Sequence, residues 1–273
     1  MLTIEKYGAI DIGSNAVRLL ISSVHEDEGM STKFKKTSLV RVPIRLGEDV
    51  FKTKRVSDRN ISRMIDTMQA YQLLMKTHQV VRYKACATSA MREAEIIAMT
   101  DLHELINTDK TYLYVDVGGG STEFTLYYHG KTITSKSFKL GTVRLLNNLV
   151  SEEVWKEVEQ WIIDATAGYE NVALIGSGGN INNIFKHSGT KSGKPLSFLY
   201  LSSYYKMISS LTYEERIKTL NQNQDRADVV VPATRIYLSA MKWSKAREIF
   251  VPKIGLSDGI IKSLYNEKLK NKQ

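Results

Sequence analysis

At 273 residues, with 42% apolar side chains, 17 glycines and only 4 prolines, the chain has the composition of an ordinary globular protein of two modest domains or one large one. No stretch approaches the roughly 18 to 20 apolar residues of a membrane span, the opening Met1-Leu2-Thr3-Ile4 reads as strand and not as a secretion signal, and the single Cys86 excludes an internal disulfide, which together predict a cytoplasmic protein. The net charge of +9, from 38 basic and 29 acidic residues, favours anionic partners, although Lys262, Lys268, Lys270 and Lys272 also read as a solvated basic tail.

Taken in chain order, Tyr7 to Ile12 is strand-like, Gly13-Ser14-Asn15 is turn chemistry, and Val17 to Val24 is a second apolar run. A third strand is predicted over Phe34 to Pro43. A helix fits Asp58 to Lys76, where Ile61, Met64, Ile65, Met68, Tyr71 and Met75 recur at helical spacing. Val80 to Ala87 returns to strand, with Cys86 as a small buried residue. From Tyr112 the opening pattern repeats: strand, Gly118-Gly119-Gly120-Ser121 turn, and returning strand from Glu123 to Tyr128. Helices follow at Thr142–Leu149 and Glu152–Ala167. Val172 to Ile175 is a short strand leading through Gly176-Ser177-Gly178-Gly179 into a helix. The remainder is helical over Tyr204–Leu211 and Ala227–Trp243, with a strand at Ile249–Pro252 and a last helix from Ser257.

The echo between Ile10-Asp11-Ile12-Gly13-Ser14 and Val115-Asp116-Val117-Gly118-Gly119 indicates a duplicated unit, and predicts domains over residues 1–110 and 111–273. In each copy an acidic residue ends a strand, and a small-residue turn leads into another strand. A dinucleotide fingerprint or P-loop would lead into a helix instead. A Gly-Gly-Gly-Ser turn lets an anion approach the backbone N–H groups without a Cβ in the way. The preceding Asp can hold a hydrated Mg²⁺ accompanying several phosphates. The five histidines are scattered without metal-ligand spacing, and no Ser-His-Asp or Cys-His arrangement competes.

Five segments in order, Asp11-x-Gly-Ser-Asn-x-x-Arg18, Thr88-Ser89-Ala90-x-Arg92-Glu93-Ala94, Asp116-x-Gly-Gly-Gly-Ser-Thr-Glu123, Gly176-x-Gly-Gly179 and Arg226-Ala227-Asp228, resemble the motif set of the exopolyphosphatase/guanosine pentaphosphate phosphatase family. The resemblance covers residues 6 to 262. It implies an α/β fold of two actin-like (ribonuclease H-like) domains around a central cleft. It also implies a phosphate-chain substrate, either polyphosphate or a phosphorylated guanosine nucleotide, and a homodimer, which is common in that family. Carried over residue by residue, Gly13, Ser14 and Asn15 form a first phosphate-binding loop, and Gly118, Gly119, Gly120 and Ser121 a second. Asp116 and Glu123 hold Mg²⁺ directly or through water, with Asp11 assisting. Arg92 grips phosphate oxygens as a fork of donors, and Glu93 orients the attacking water, with Glu95 in reserve. Arg18 and Arg45 read equally well as phosphate ligands or as surface arginines.

Two departures from the family pattern stand out. Members carry a longer spacer between Ser-Ala-x-Arg-Glu-Ala and a second motif, Glu-Glu-Ala-x-x-Ile, whereas here Met91-Arg92-Glu93-Ala94-Glu95-Ile96-Ile97 runs the two together. Near the end, Gly255-Leu256-Ser257-Asp258-Gly259 has serine where members often have arginine. The chain resembles the short two-domain members, which favours short polyphosphates or a nucleotide. The expected activity is therefore Mg-assisted release of terminal orthophosphate from polyphosphate. Its alternatives are guanosine pentaphosphate 5′-phosphohydrolysis, a non-catalytic alarmone or nucleotide sensor, and, less favoured, a kinase. Nucleic-acid binding rests on charge alone, without interleaved aromatics, and is not expected.

Overall fold

A computed structural model describes residues 2–87, 110–252 and 255–271. They divide into two compact units: residues 2–87 with 255–271, and residues 110–252. The last helix, expected in the second domain, thus belongs with the first. Among the described residues no helix is long and apolar enough to cross a membrane.

In the first unit, β1 (Thr3–Ile12), β2 (Val17–Glu26) and β3 (Lys33–Val42) form an antiparallel meander, and β4 (Val80–Ala87) returns parallel to β1. The sheet order is β3-β2-β1-β4. Strand alternation gives two apolar faces. Tyr7, Ala9, Leu20, Val24 and Cys86 pack with Leu256, Ile260, Ile261, Leu264 and Tyr265 of the C-terminal helix. Ile10, Val17, Leu19 and Ile21 pack with Ile44, Tyr71 and Met75 on the other side. Both faces are covered because β1 and β2 carry consecutive apolar residues, Ala9-Ile10 and Leu19-Leu20-Ile21, that point to both sides.

Between β3 and β4 lie α1 (Leu46–Thr53) and α2 (Asp58–Thr77). The Ser57 side chain caps α2 by accepting from the Asn60 N–H, and Asp49 in turn accepts from both the backbone and hydroxyl of Ser57. The buried stripe of α2 runs through Asn60, Thr67, Tyr71 and Met75, whereas Ile61 and Ile65, expected inward, are exposed. Tyr71 settles the rotation: its hydroxyl donates to the Val17 carbonyl at 2.9 Å. Gly8 lets Met75 approach, since a Cβ there would lie 2.9 Å from its sulfur.

In the second unit, β5 (Tyr112–Val117), β6 (Thr122–Tyr128) and β7 (Lys131–Phe138) repeat the meander. β8 (Ala173–Ser177) then runs parallel to β5, and β10 (Glu248–Phe250) and β9 (Leu196–Ser197) extend the sheet, order β7-β6-β5-β8-β10-β9. Helices α3 (Thr142–Leu146), α4 (Glu152–Thr166), α5 (Gly179–His187), α6 (Phe198–Ser210), α7 (Tyr213–Leu220), α8 (Gln224–Ala227) and α9 (Val230–Trp243) complete it. One core joins Leu113, Val115, Phe124 and Leu174 of the sheet to Trp155, Val158 and Ile162 of α4 and Ile236 and Tyr237 of α9. A meander followed by a parallel return, found in both units, is the duplication expected from the repeat, in the α/β, ribonuclease H-like topology that the family resemblance implies.

The last helix, α10 (Leu256–Lys270), corrects the reading of the basic tail at two of its four lysines, while Lys270 is exposed and Lys272 lies outside the described residues. Lys268 is only 7% exposed, and its ammonium donates to Glu5 Oε2 at 2.8 Å and to Glu26 Oε1 at 2.9 Å. Lys262 lies over the Phe34 ring, 5.2 Å from its centroid. Lys268 thus binds the chain's own carboxylates and Lys262 its own ring.

Candidate functional site

Each unit presents the same hairpin. In the first, Gly13 N–H donates to the Ala16 carbonyl at 3.1 Å, closing a turn over Ser14 and Asn15. In the second, Gly118 N–H donates to Ser121 at 2.9 Å, closing a turn over Gly119 and Gly120. A Cβ at Gly13 or Gly118 would approach the carbonyl that its own N–H bonds, at 3.1 and 3.0 Å, so the two turns match in detail.

The strand residue two before each loop glycine is an aspartate, and register sets what lies opposite it. Asp11 pairs across β1 and β2 with Arg18, which pairs in turn with Arg41 on β3, while Cys86 lies beside Asp11 on β4. The equivalent row in the second unit is Ser177, Asp116, Glu123 and Ser137. Thus one row carries two guanidiniums where the other carries a second carboxylate. Asp11 is 6% exposed, and burial raises its pKa despite Arg18 Nη1 at 3.5 Å, which acts in the opposite direction. Glu123 accepts a 3.4 Å hydrogen bond from the Ser135 hydroxyl.

Two carboxylates directly opposite on neighbouring strands repel one another unless a cation intervenes. Asp116 and Glu123, opposite one another in the ladder, are the two carboxylates of this row that could hold a divalent ion. Among the described residues no group of three or more His, Cys, Asp or Glu side chains forms a metal cage. That donor set suits Mg²⁺, which commonly takes one or two carboxylates and completes its shell with water and substrate phosphate.

The segment after the third strand braces each loop. In the first unit, Arg45 N–H donates to Asn15 O at 2.9 Å and Gly47 N–H to Ser14 O at 2.7 Å. In the second, Thr142 N–H donates to Gly118 O at 3.0 Å, Val143 N–H to Gly119 O at 2.9 Å, and Arg144 Nε to Gly120 O at 2.7 Å. Thr122 donates its hydroxyl to Leu140 O, tying the brace to the strand after the loop. A Cβ on Gly141 would sit 2.4 Å from Gly119 O and 2.5 Å from Gly120 C, so only glycine allows this approach. The signal was available in sequence: Arg45-Leu46-Gly47 and Lys139-Leu140-Gly141 are a second echo of the duplication. A Leu-Gly pair has no chemistry of its own, so the echo does not by itself mark a brace. The same observation gives Arg45 a backbone role, in a left-handed conformation (φ 62°), with its guanidinium on Glu48 at 2.8 Å.

A third glycine turn, Gly176 to Gly179, joins β8 to α5. Gly178 has φ 111°, and a Cβ there would lie 3.3 Å from Asp116 Oδ1, so the turn packs directly against that carboxylate. Arg226 Nη1 donates to Gly179 O, and the Tyr237 hydroxyl donates to Ser177 O. Tyr237 is fully buried, and burial followed by the charge of Asp116 pushes its pKa well above the ordinary phenol value. The Arg226-Ala227-Asp228 motif and the glycine turn, separate in sequence, are thus one assembly. Cys86 is buried as expected, and burial raises its thiol pKa. Arg92, Glu93 and Glu95 lie outside the described residues.

The fold and these loops define a duplicated α/β protein with a small-residue hairpin and a strand-end aspartate in each half. The sequence model of the Ppx/GppA phosphatase family matches residues 92–268, more than half of the chain, and the protein belongs to that family. Among curated proteins it is similar to the bifunctional 3-dehydroquinate synthase/phosphatase of Fusobacterium nucleatum, 29% identical over 64% of this chain and 34% of that one. It is also similar to exopolyphosphatase 2 of Mycobacterium tuberculosis, 28% identical over 53% of this chain and 54% of that one. The chain therefore spans about a third to a half of the length of these relatives. Two solved structures share its fold. The Aquifex aeolicus Ppx/GppA family member superposes with a TM-score of 0.72 at 22% identity, covering 99% of this chain and 100% of that one. An exopolyphosphatase from Cytophaga hutchinsonii gives 0.78 at 20% identity, covering 96% and 98%.

Proposed function

We propose that this protein releases terminal orthophosphate from inorganic polyphosphate by attack of water. The observation that carries the reading is the second loop, where three consecutive carbonyls are bonded on one side. In a trans peptide the N–H of the next residue points opposite to each carbonyl. The N–H groups of Gly119, Gly120 and Ser121 therefore face away from the brace, as a concave set of donors suited to phosphoryl oxygens. Asp116 and Glu123, one on each strand that flanks the loop, would hold Mg²⁺. When bound, that ion supplies charge neutralisation on the phosphate chain.

In this reading the loop N–H groups bind the terminal phosphoryl group and stabilise the charge that spreads over its oxygens. Arg92 contributes a fork of donors to the same group. Glu93 accepts a proton from the attacking water and orients it in line with the bridging oxygen that leaves. The product is orthophosphate and a chain one phosphate shorter. The family membership and the exopolyphosphatase relatives support this assignment.

The test is orthophosphate release from short polyphosphate, long polyphosphate and guanosine pentaphosphate, each with and without Mg²⁺. Mg²⁺-dependent release from polyphosphate is expected, with Asp116→Asn and Glu93→Gln each lowering kcat about 10²-fold or more. Full activity in Glu93→Gln and Glu95→Gln would remove the assigned base. Preference for the nucleotide at equal concentration would reassign the substrate, and tight binding without turnover would make the protein a sensor.

A further inference from the structure

The two braces differ in what holds the last carbonyl of the loop. In the first loop two carbonyls, Ser14 and Asn15, are held, both by backbone N–H groups. In the second loop the carbonyls of Gly118 and Gly119 are held by backbone N–H groups, and that of Gly120, the counterpart of Asn15, by the side chain of Arg144. Counting three residues on from each brace glycine, Arg144 corresponds to Val50, which carries no donor. The side-chain clamp is therefore particular to the second loop. It acts on the peptide between Gly120 and Ser121, whose N–H direction follows from its carbonyl direction by planarity.

We propose that Arg144 is a positioning residue for phosphoryl transfer: by fixing the Gly120 carbonyl, it aims the Ser121 N–H at the terminal phosphoryl group. This rests on the polyphosphatase reading above. The clamp acts before substrate arrives, so reorienting the peptide costs nothing in the transition state. Without it the peptide that follows Gly120, a residue with no Cβ to restrict its backbone, can rotate. A donor misplaced by about 1 Å costs on the order of 10²-fold in rate.

The test separates donor geometry from charge and from packing. In Arg144→Gln the amide nitrogen occupies the same place along the side chain as Arg Nε, so the clamp is kept and the charge lost. Arg144→Met keeps the length and loses the donor. Arg144→Lys keeps the charge but moves the donor one atom further out. The readouts are kcat and KM on inorganic tripolyphosphate, thermal melting, and the amide NMR signals of Gly119, Gly120 and Ser121 during tripolyphosphate titration.

The expected result is a loss of about 10- to 100-fold in kcat for Arg144→Met with a weakened Ser121 amide response. Arg144→Gln is expected within about threefold of wild type, on the same reasoning. An Arg144→Met protein that matches wild type overturns the clamp, as does an Arg144→Gln protein that falls equally far. Should Arg144→Met not fold, the order of the other two decides: Gln above Lys supports the clamp, and Lys above Gln overturns it. Wild-type protein that hydrolyses tripolyphosphate with silent loop amides overturns the clamp and spares the hydrolase reading. Wild-type protein that neither binds nor hydrolyses it overturns both.

Discussion

Lys268 places one ammonium where two carboxylates need it. Glu5 and Glu26 sit near the ends of paired strands, and the ammonium reaches both from α10. Tyr7 donates its hydroxyl to the same Glu5 oxygen at 2.7 Å. Burial works against the charged lysine, yet the hydrogen bonds to Glu5 and Glu26 prevail and raise its pKa. A raised lysine pKa stabilises the fold fully below the unfolded value of about 10.4, and that contribution is lost as pH rises through the folded value. Lys268→Met is therefore expected to cost about 3 kcal/mol at neutral pH, because two carboxylates lose their cation. The gap from wild type, measured by urea unfolding, is expected to stay level to about pH 10 and narrow above it. Tyr7 is pushed up to about 12 by burial and then by its bond to Glu5, while Lys268 acts in the opposite direction, so the gap is read below the range in which Tyr7 titrates. A gap that is absent at neutral pH, or that widens in alkali, would contradict the ion triad. No sequence pattern reveals it, since Lys268 is surrounded by ordinary surface residues and its partners lie near the other end of the chain.

At the scale of elements, the loops were legible and the braces were not. Asp-x-Gly at the end of an apolar strand, repeated, located both hairpins, because turn chemistry and strand alternation are local properties. β7 and α1 were missed for an equally local reason. β7 has a single buried residue, Phe138, and α1 has only Gly47, so neither shows an apolar period to read. Yet these elements lead into or out of the segments that brace the loops. Gly141 makes the consequence measurable. A methyl group there meets backbone atoms of Gly119 and Gly120, which can yield only by moving the loop. Gly141→Ala is expected to lower orthophosphate release about 10²-fold and stability by about 1–3 kcal/mol. Gly168→Ala, where a Cβ meets nothing within 4 Å, is the matched control and should alter neither. Equal behaviour of the two variants in a melt and a phosphate-release assay would show that the close approach at Gly141 is not needed.

For the whole molecule, the departure from the sequence expectation concerns where the chain goes last. After building the second unit it returns to cover one face of the first unit's sheet, so that unit is assembled from both ends of the sequence. The repeat at Asp11 and Asp116 marks where each sheet begins but carries no information about which sheet claims a helix much later. The apolar face of α10 fits either unit by pattern alone, and only packing assigns it to β1 and β2. The energetics make this dependence strong. Leu256, Ile260, Ile261, Leu264 and Tyr265 are each less than a tenth exposed. At about 1.5–3 kcal/mol per buried side chain, these five contribute on the order of 10 kcal/mol. That matches the whole net stability of a typical domain, roughly 5–15 kcal/mol. Loss of the Lys268 triad and of the Lys84–Glu267 and Lys36–Asp258 pairs adds to it. A fragment ending at residue 254 is therefore expected to leave the first unit unfolded while the second, with its own core, persists. Hydrogen exchange followed by mass spectrometry reads the two separately. Peptides from β1 to β3 are expected to exchange at once, peptides from β5, β8 and α9 to stay protected, and a synthetic peptide of residues 255–271 to restore the first set. Protection of β1 and β2 in the fragment alone would mean that the sheet does not depend on α10, and that the boundary read from the sequence is also the boundary of folding.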